Sequence, residues 1–350
     1  MSVQIERITE KTKWQQLWSD MPDPHILQSW EWGEIKQSTA DWHPRRYAFY
    51  QDERLLAIAS IGLRKLGPFC VMYAPRGPLF THLGPGSPAV LAALQALAHQ
   101  HRAIWLKIDP DIACAARPVQ GNEWNDREAG QQFKSDLIDA GWQHSPQQVQ
   151  FPNTQRIALS APEETILAQM SANARRKIRI AQRKGIQIRS GNADDIPEMF
   201  QMYAETAQRN DFRIRSFAYY RTAWHEMFKA GRAHFLIATY QNEAIAHCIL
   251  FHGGNACWFF YGASRDKERN RMPNHLLQWE SLRWAKGMGY QYYDFWGAPT
   301  QFHESDPLWK VYQYKRGFRG CLIQGLGAWD HAPYPKLYRL YQTVEKIRSG

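Results

Sequence analysis

What this sequence lacks narrows its class before any motif is considered. Apolar stretches such as Ile104–Leu106 and Cys248–Phe251 stop far short of the roughly 18–20 residues a spanning helix needs, which predicts no membrane span. The first residues, Met1-Ser2-Val3-Gln4-Ile5-Glu6-Arg7, lack the basic-then-apolar pattern of a secretory signal, so a cytoplasmic protein is expected. Cysteine is sparse: Cys70, Cys114, Cys248, Cys257 and Cys321 are odd in number, widely spaced and without a C-x-x-C. They read as reduced thiols and exclude a disulfide framework or a Cys-based zinc site. No H-E-x-x-H, G-x-S-x-G or P-loop is present, which removes metalloprotease, serine-hydrolase and nucleoside-triphosphatase readings.

Acid is also in short supply. Against 43 Lys and Arg stand 33 Asp and Glu, a formal +10 over 350 residues, which favours polyanionic partners such as nucleic acid, phosphorylated substrates or an anionic membrane face. A hydrophobic fraction of 44% supplies cores for one large domain or two of about 150–175 residues.

The order of elements is stated twice. Arg46–Tyr50 and Leu55–Leu63 form a predicted hairpin across Gln51-Asp52-Glu53-Arg54. His234–Tyr240 and Ala244–Phe251 form another across Gln241-Asn242-Glu243, so that Tyr50-Gln51-Asp52-Glu53 answers Tyr240-Gln241-Asn242-Glu243. Each hairpin is followed by a third strand (Phe69–Ala74; Ala256–Tyr261), a helix (Pro88–His101; Asn274–Gly287) and a strand (Ala103–Ile108; Tyr290–Tyr293) that ends on an aspartate, Asp109 or Asp294. The pattern predicts a mixed α/β protein of two tandem acetyltransferase (GNAT)-like domains, 1–152 and 153–350, with the boundary at Pro152-Asn153-Thr154. An aspartate at a strand end can face a ligand or brace a loop, and the sequence leaves both open.

Acetyltransferases of this fold cradle the pyrophosphate of acyl-CoA on a glycine-rich loop at a helix N-terminus. Neither half has that loop, which points to a different acyl donor. Instead, Ala161–Lys184 reads as one helix. Arg175, Arg176, Lys177, Arg179, Arg183 and Lys184 fill six of its last ten positions with no acid among them, a surface suited to tracking phosphates. Cations and rings also interleave at Arg215 and Tyr219, four apart on one predicted helical face, and along Tyr312–Gly320.

Segments spread through nearly the whole chain resemble the FemABX family of peptidoglycan bridge aminoacyltransferases. They are Gln28–Lys36, Tyr73–Pro78, Ile108-Asp109-Pro110, Asn173–Gly185, Tyr261–Ser264, Asn274–Glu280, Tyr293–Gly297 and Tyr314–Phe318. The resemblance implies a tRNA-dependent enzyme of cell-wall biogenesis and cell shape. It would move an amino acid of the Gly, Ala or Ser class from aminoacyl-tRNA to the side-chain amine of the third stem-peptide residue. The implied acceptor is UDP-MurNAc-pentapeptide or lipid II. No cofactor or metal is implied, and a monomer touching the inner membrane face is expected. Because Gly185 runs directly into Ile186–Arg189, the chain is similar to the shorter members without a helical arm.

Carried over by position, Lys36, Arg215, Tyr219 and Tyr261 bind the acceptor. Lys315 matches the lysine of the family's Phe-Lys-x-Gly-Phe-Gly-Gly run and stabilises the developing oxyanion, with Tyr314 in place of Phe and Arg319 in place of Gly. Asp109 is expected to orient the amine or take its proton. The tRNA-binding set is Arg175, Arg176, Lys177, Arg179, Arg183, Lys184, Tyr314 and Arg316. The alternatives are an acyl-CoA-dependent N-acyltransferase of GNAT type and a non-catalytic RNA-binding protein.

Overall fold

Two pairs of turn residues organise the architecture. Asp52 and Glu53, and again Gln241 and Asn242, all adopt positive φ in a computed structural model that describes residues 3–119, 121 and 123–349. Positive φ at both central residues is the type I′ geometry whose twist suits a two-residue hairpin. The first pair joins β2 (His43–Gln51) to β3 (Arg54–Leu66), closing on Gln51 opposite Arg54; the second joins β12 (Ala233–Tyr240) to β13 (Glu243–Gly253), closing on Tyr240 opposite Glu243. Aligned by their turns, Gln51 rather than Tyr50 answers Tyr240, a one-residue correction to the expected match.

The first unit comprises Met1–Ala116, Trp124–Pro152 and Ile323–Gly350. Its sheet continues from the hairpin to β4 (Phe69–Ala74). Helix α3 (Ser87–Gln100) then crosses over to β6 (Ala103–Ile108), which pairs parallel to β4. Leu91, Leu94 and Leu97 of α3 pack on Ala57, Ile61 and Met72, while Trp14 and Trp18 of α1 (Lys11–Ser19) cover Ala48 and Ile58 on the other face. β1 (Gln4–Ile8) edges β2, β5 (Leu79–Phe80) pairs β3, and β7 (Ala113–Arg117) pairs β8 (Asn125–Asp126). Helices α2 (Trp30–Ala40) and α4 (Glu128–Asp139) and strand β9 (Gln143–His144) complete the part that precedes residue 153.

The same unit takes back the last stretch of the sequence, where the expected boundaries assigned everything after 152 to the second domain. β17 (Trp329–His331) lies antiparallel between β6 and β9, and Tyr338 and Tyr341 of α11 (Pro335–Ser349) pack beside Trp105 of β6. Asp330 fixes that return: it forms a 2.9 Å ion pair with the buried ammonium of Lys107 and accepts the Tyr338 hydroxyl at 2.6 Å.

The second unit is Arg117–Glu123 with Asn153–Leu322. Its sheet runs β11 (Gln187–Ser190), β12, β13, β14 (Ala256–Ser264), β15 (Tyr292–Asp294), β10 (Asn153–Ala158) and β16 (Cys321–Gly325), with β15 parallel to β14 after the crossover helix α9 (Pro273–Gly287). Helices α7 (Ile196–Arg209) and α8 (Phe217–Lys229) pack against it, and α10 (Trp309–Lys315) precedes β16. The meander–helix–strand order is therefore present in both units.

The helix expected over Ala161–Lys184 is broken in two, α5 (Glu163–Gln169) and α6 (Ala172–Arg183). Ser171 causes the break: its hydroxyl accepts the Ala174 amide at 3.1 Å, an N-cap that starts a new helix while Met170 stays extended. Gly185, at φ +75°, then turns the chain straight into β11 with no helical arm between. Among the described residues no helix is long and apolar enough to cross a membrane.

Candidate active site

The most unusual group in the second unit is Lys315, the last residue of α10. It is only 4% exposed, and its ammonium donates to the carbonyls of Trp296 and Gly297 at 2.9 and 2.8 Å. No carboxylate salt-bridges it among the described residues, and burial lowers its pKa to about 7 with only a partial counter-pull from Asp294. The two carbonyls are aimed at it by a turn in which Trp296 and Gly297 have φ of +51° and +98°. Asp294 holds that turn at the end of β15: it accepts the Trp296 amide at 2.7 Å, the Arg156 guanidinium at 2.7 Å and the Thr154 hydroxyl at 2.5 Å. Of the two readings left open for Asp294, the structure shows the loop brace.

Beside α10 lies a pocket of about 310 Å³. Arg117, Arg316 and Arg319 line it with Phe302, Trp309 and Tyr312, and its wall includes Gln155, whose amide donates to the Lys315 carbonyl at 2.9 Å. The Arg117 guanidinium stands 5.0 Å over the Phe302 ring. Arg316 and Arg319 are exposed and salt-bridge no acid among the described residues, so the pocket offers positive charge and ring faces together. Of this set the sequence reading named Arg316 as tRNA-binding and held Tyr312 and Arg319 within its run of interleaved rings and cations, but it missed Arg117, Phe302 and Trp309. Gly320 matters at the rim, because a Cβ there would meet the Arg156 carbonyl at 2.7 Å.

A second cluster is built on α7, α8 and β14. Arg215 precedes the N-cap Ser216, and its guanidinium stands 4.8 Å over the Tyr219 ring, as the four-residue spacing predicts. Tyr219 packs on Tyr220 at 5.2 Å, and Tyr220 meets Tyr261 at 5.7 Å, with Tyr203 and Trp224 completing an aromatic nest. Burial pushes the Tyr219 hydroxyl up to about 12 against the pull of Arg215, and raises Tyr261 well above its ordinary range, so both phenols are neutral hydrogen-bonding groups. Tyr261 follows a bulge in β14: Ile249 pairs with Tyr261 and Leu250 with Phe259, leaving Phe260 unpaired and re-aiming the strand. Tyr203 of α7 and Tyr220 and Trp224 of α8 went unpredicted, although the i, i+4 spacing of Tyr220 and Trp224 was visible in the sequence.

In the first unit, Asp109 stands at the end of β6 and is buried. It accepts the Tyr73 hydroxyl at 2.7 Å and the Arg76 amide at 2.6 Å. Burial raises its pKa to about 6, although Arg76 and both hydrogen bonds oppose the shift. Lys36, also in this unit, is half-buried on α2 with its ammonium 4.5 Å from the Trp32 ring. Lys36 and Asp109 thus belong to one unit, and Arg215, Tyr219, Tyr261 and Lys315 to the other.

The six cations of α6 do not form one uniform surface. Arg175 is turned onto its own backbone, donating to the carbonyls of Ala168 and Met170 where α5 ends. Arg176, Arg179, Arg183 and Lys184 are exposed and Lys177 half-exposed, opposite the buried stripe Ala174, Ile178 and Ala181. None of the six forms an ion pair among the described residues. Tyr314 is not a free stacking platform: its hydroxyl donates to the Asn274 carbonyl at 2.8 Å and its ring is wedged between His275 and Phe318. Among the described residues no cluster of His, Cys, Asp and Glu could hold a metal ion.

Comparison with known proteins covers most of the chain. The FemAB family model matches residues 9–244 and 229–346. The lipid II:glycine glycyltransferases of Staphylococcus saprophyticus and Staphylococcus aureus (strain MRSA252) are 19% and 20% identical to the chain, each alignment covering 93% of it and 92% of the relative. Among solved structures, FemX superposes with a TM-score of 0.83 at 18% identity, covering 96% of this chain and 99% of FemX. A tandem GNAT protein from the clavulanic acid biosynthesis pathway follows at 0.54 and 12%, covering 95% and 98%. With a family model spanning almost every residue and a fold shared with FemX and a tandem GNAT protein, the chain belongs to the FemAB family and is an aminoacyltransferase built from two GNAT-like domains.

Proposed function

We propose that this protein takes an amino acid of the Gly, Ala or Ser class from aminoacyl-tRNA and attaches it to the side-chain amine of the third residue of the peptidoglycan stem peptide. The acceptor is lipid II or the soluble UDP-MurNAc-pentapeptide, and no cofactor takes part. The observation that carries this reading is Lys315, a buried ammonium held by two carbonyls and no acid salt-bridge partner, beside a pocket of three arginines and three rings. Relatives that act on lipid II support the acceptor, and the cationic pocket and the outer face of α6 support a phosphate-rich donor.

The chemistry is direct aminolysis. The neutral acceptor amine attacks the ester carbonyl, its nitrogen forms the new amide bond, and the ester C–O bond breaks. The tRNA hydroxyl leaves, recovering a proton as the amine loses one. A positive charge that already lies in a low-dielectric site stabilises the transient oxyanion most, and Lys315 supplies it, a role of a few kcal/mol. Leaving two carbonyls for an anionic oxygen is favourable for Lys315 because neither carbonyl neutralises it. Asp109, with its pKa raised to about 6, is ionised at neutral pH and able to take the amine's proton or orient it. In the second unit Arg215 suits the acceptor's diphosphate and the phenols of Tyr219 and Tyr261 its sugar, while Lys36 of the first unit is read as acceptor-binding on the family resemblance alone.

The test incubates the protein with UDP-MurNAc-pentapeptide or lipid II and mixed aminoacyl-tRNAs, then weighs the acceptor by mass spectrometry. A gain of one amino-acid residue, located on the third residue by fragmentation and lost on RNase treatment of the donor, is the expected result. Transfer that needs acetyl-CoA instead of tRNA, or no gain with either acceptor, overturns the reading.

A further inference from the structure

One surface of the first unit is unexplained by transfer chemistry. On α11, Tyr338 is buried and Leu337 and Tyr341 are half-buried against Trp105, Val71 and Phe69, so that side of the helix is satisfied by the fold. Three further large apolar residues face water: Leu340 is 60% exposed, Val344 44% and Ile347 77%. Their i, i+4, i+7 spacing sets them in one stripe, which Leu337 continues toward the core. Soluble surfaces scatter such residues singly, and a contiguous stripe marks a contact.

The charge around the stripe says what it contacts. Residues 335–349 hold Lys336, Arg339, Lys346 and Arg348 against a single acid, Glu345. Lys336 and Arg339 are exposed within one turn of Leu340, and Arg64 of β3 lies beside Tyr341. A protein partner would read such a face through buried area and shape. An apolar stripe flanked by unneutralised cations complements a bilayer with anionic headgroups.

We propose that α11 rests in the plane of an anionic membrane surface, with Leu340, Val344 and Ile347 inserted at the headgroup–acyl boundary and Lys336 and Arg339 on lipid phosphates. This deepens the reading that the acceptor is lipid-linked, since an enzyme acting on such a substrate gains from being held at the surface where its headgroup lies.

The experiment is flotation of the full chain with vesicles of phosphatidylcholine alone or with about one-third phosphatidylglycerol, without tRNA or acceptor. Wild type is expected to float with the anionic vesicles and to release as salt rises. Leu340→Asp/Ile347→Asp should lower its partition coefficient by at least about tenfold, and Lys336→Glu/Arg339→Glu by a smaller factor seen only with the anionic vesicles. All four positions are exposed, so circular dichroism and the melting midpoint should be unchanged. Transfer to the soluble acceptor is measured on the same samples and should keep its wild-type rate. Failure of wild type to float, or equal flotation of the apolar double variant, overturns the proposal. So does a wild-type dimer in light scattering that the same variant dissociates, which would make a second copy the occupant. If wild type floats as expected but transfers nothing to either acceptor, the surface stands and the functional reading fails.

Discussion

Among the described residues each unit buries one lysine ammonium, and the two are treated in opposite ways. Lys107 of the first unit meets Asp330 at 2.9 Å, the Ser145 hydroxyl and the Gln147 carbonyl at 3.0 Å, and Asp330 is in turn held by Tyr338 and Ser145. Its charge is cancelled inside the fold. Lys315 of the second unit meets two carbonyls, and burial drags its pKa to about 7. The difference teaches that burial of a cation is not itself a functional sign. A buried ammonium with its own carboxylate latches structure, whereas one hydrogen-bonded only to carbonyls fits the oxyanion role proposed for Lys315.

The largest effect should come from breaking the cancelled pair. Lys107→Met leaves the buried Asp330 with hydroxyl donors but no cation, and should cost about 3–5 kcal/mol in denaturant unfolding. Lys107→Met/Asp330→Leu should recover most of that loss, and failure to recover would show the pair is more than a latch. Next in size, Lys315→Met should lower kcat/KM for transfer by about a hundredfold or more while leaving the protein folded, because it removes oxyanion stabilisation. Near-normal turnover would remove Lys315 from the chemistry.

Proton linkage separates the two lysines further. Between pH 7 and 10.5 the unfolded chain holds a proton on Lys315 that the folded chain has lost, so stability should rise with pH across that window. Lys315→Met should lack this rise. Asp109 runs the other way: its folded pKa of about 6 exceeds the ordinary 3.8, so the folded state binds the extra proton and stability should fall as pH rises from about 4 to 6. Asp109→Asn should flatten that slope and abolish the acid limb of the transfer profile near pH 6. The smallest effect is expected from Arg319→Ala at the pocket rim: a several-fold rise in KM for the tRNA donor with kcat nearly unchanged, and a shallower salt dependence.

How much of this was legible depends on the range of the interaction concerned. The meanders were readable because alternation and turn residues act over a few positions, and the crossover helices because their apolar period is local. Lys315, Arg215 and Tyr219 could be singled out as candidates for the same reason, each lying in a short recognisable run. The pocket was not, because Arg117 and Phe302 sit on segments that only the fold brings beside the Tyr312–Gly320 run. The break at Ser171 was hidden by an apolar stripe that continues across it, although serine three residues before Ala174 is an ordinary N-cap spacing. The return of 323–350 to the first unit was invisible because β17 is three residues long, too short for any period, and its anchor Asp330 has meaning only beside Lys107.

That return has a consequence in time. Lys107 and Asp330 are 223 positions apart, so during synthesis at ~5–20 residues per second the lysine waits about 10–45 s for its partner. Throughout that interval β6 has no neighbour on its outer edge, and the ammonium meant for the interior must stay in water. The second unit, which ends at Leu322, is fully translated first. The half of the molecule that begins the chain is therefore the last to close, and a ribosome that stalls a few dozen codons early leaves behind a finished second unit joined to an open sheet.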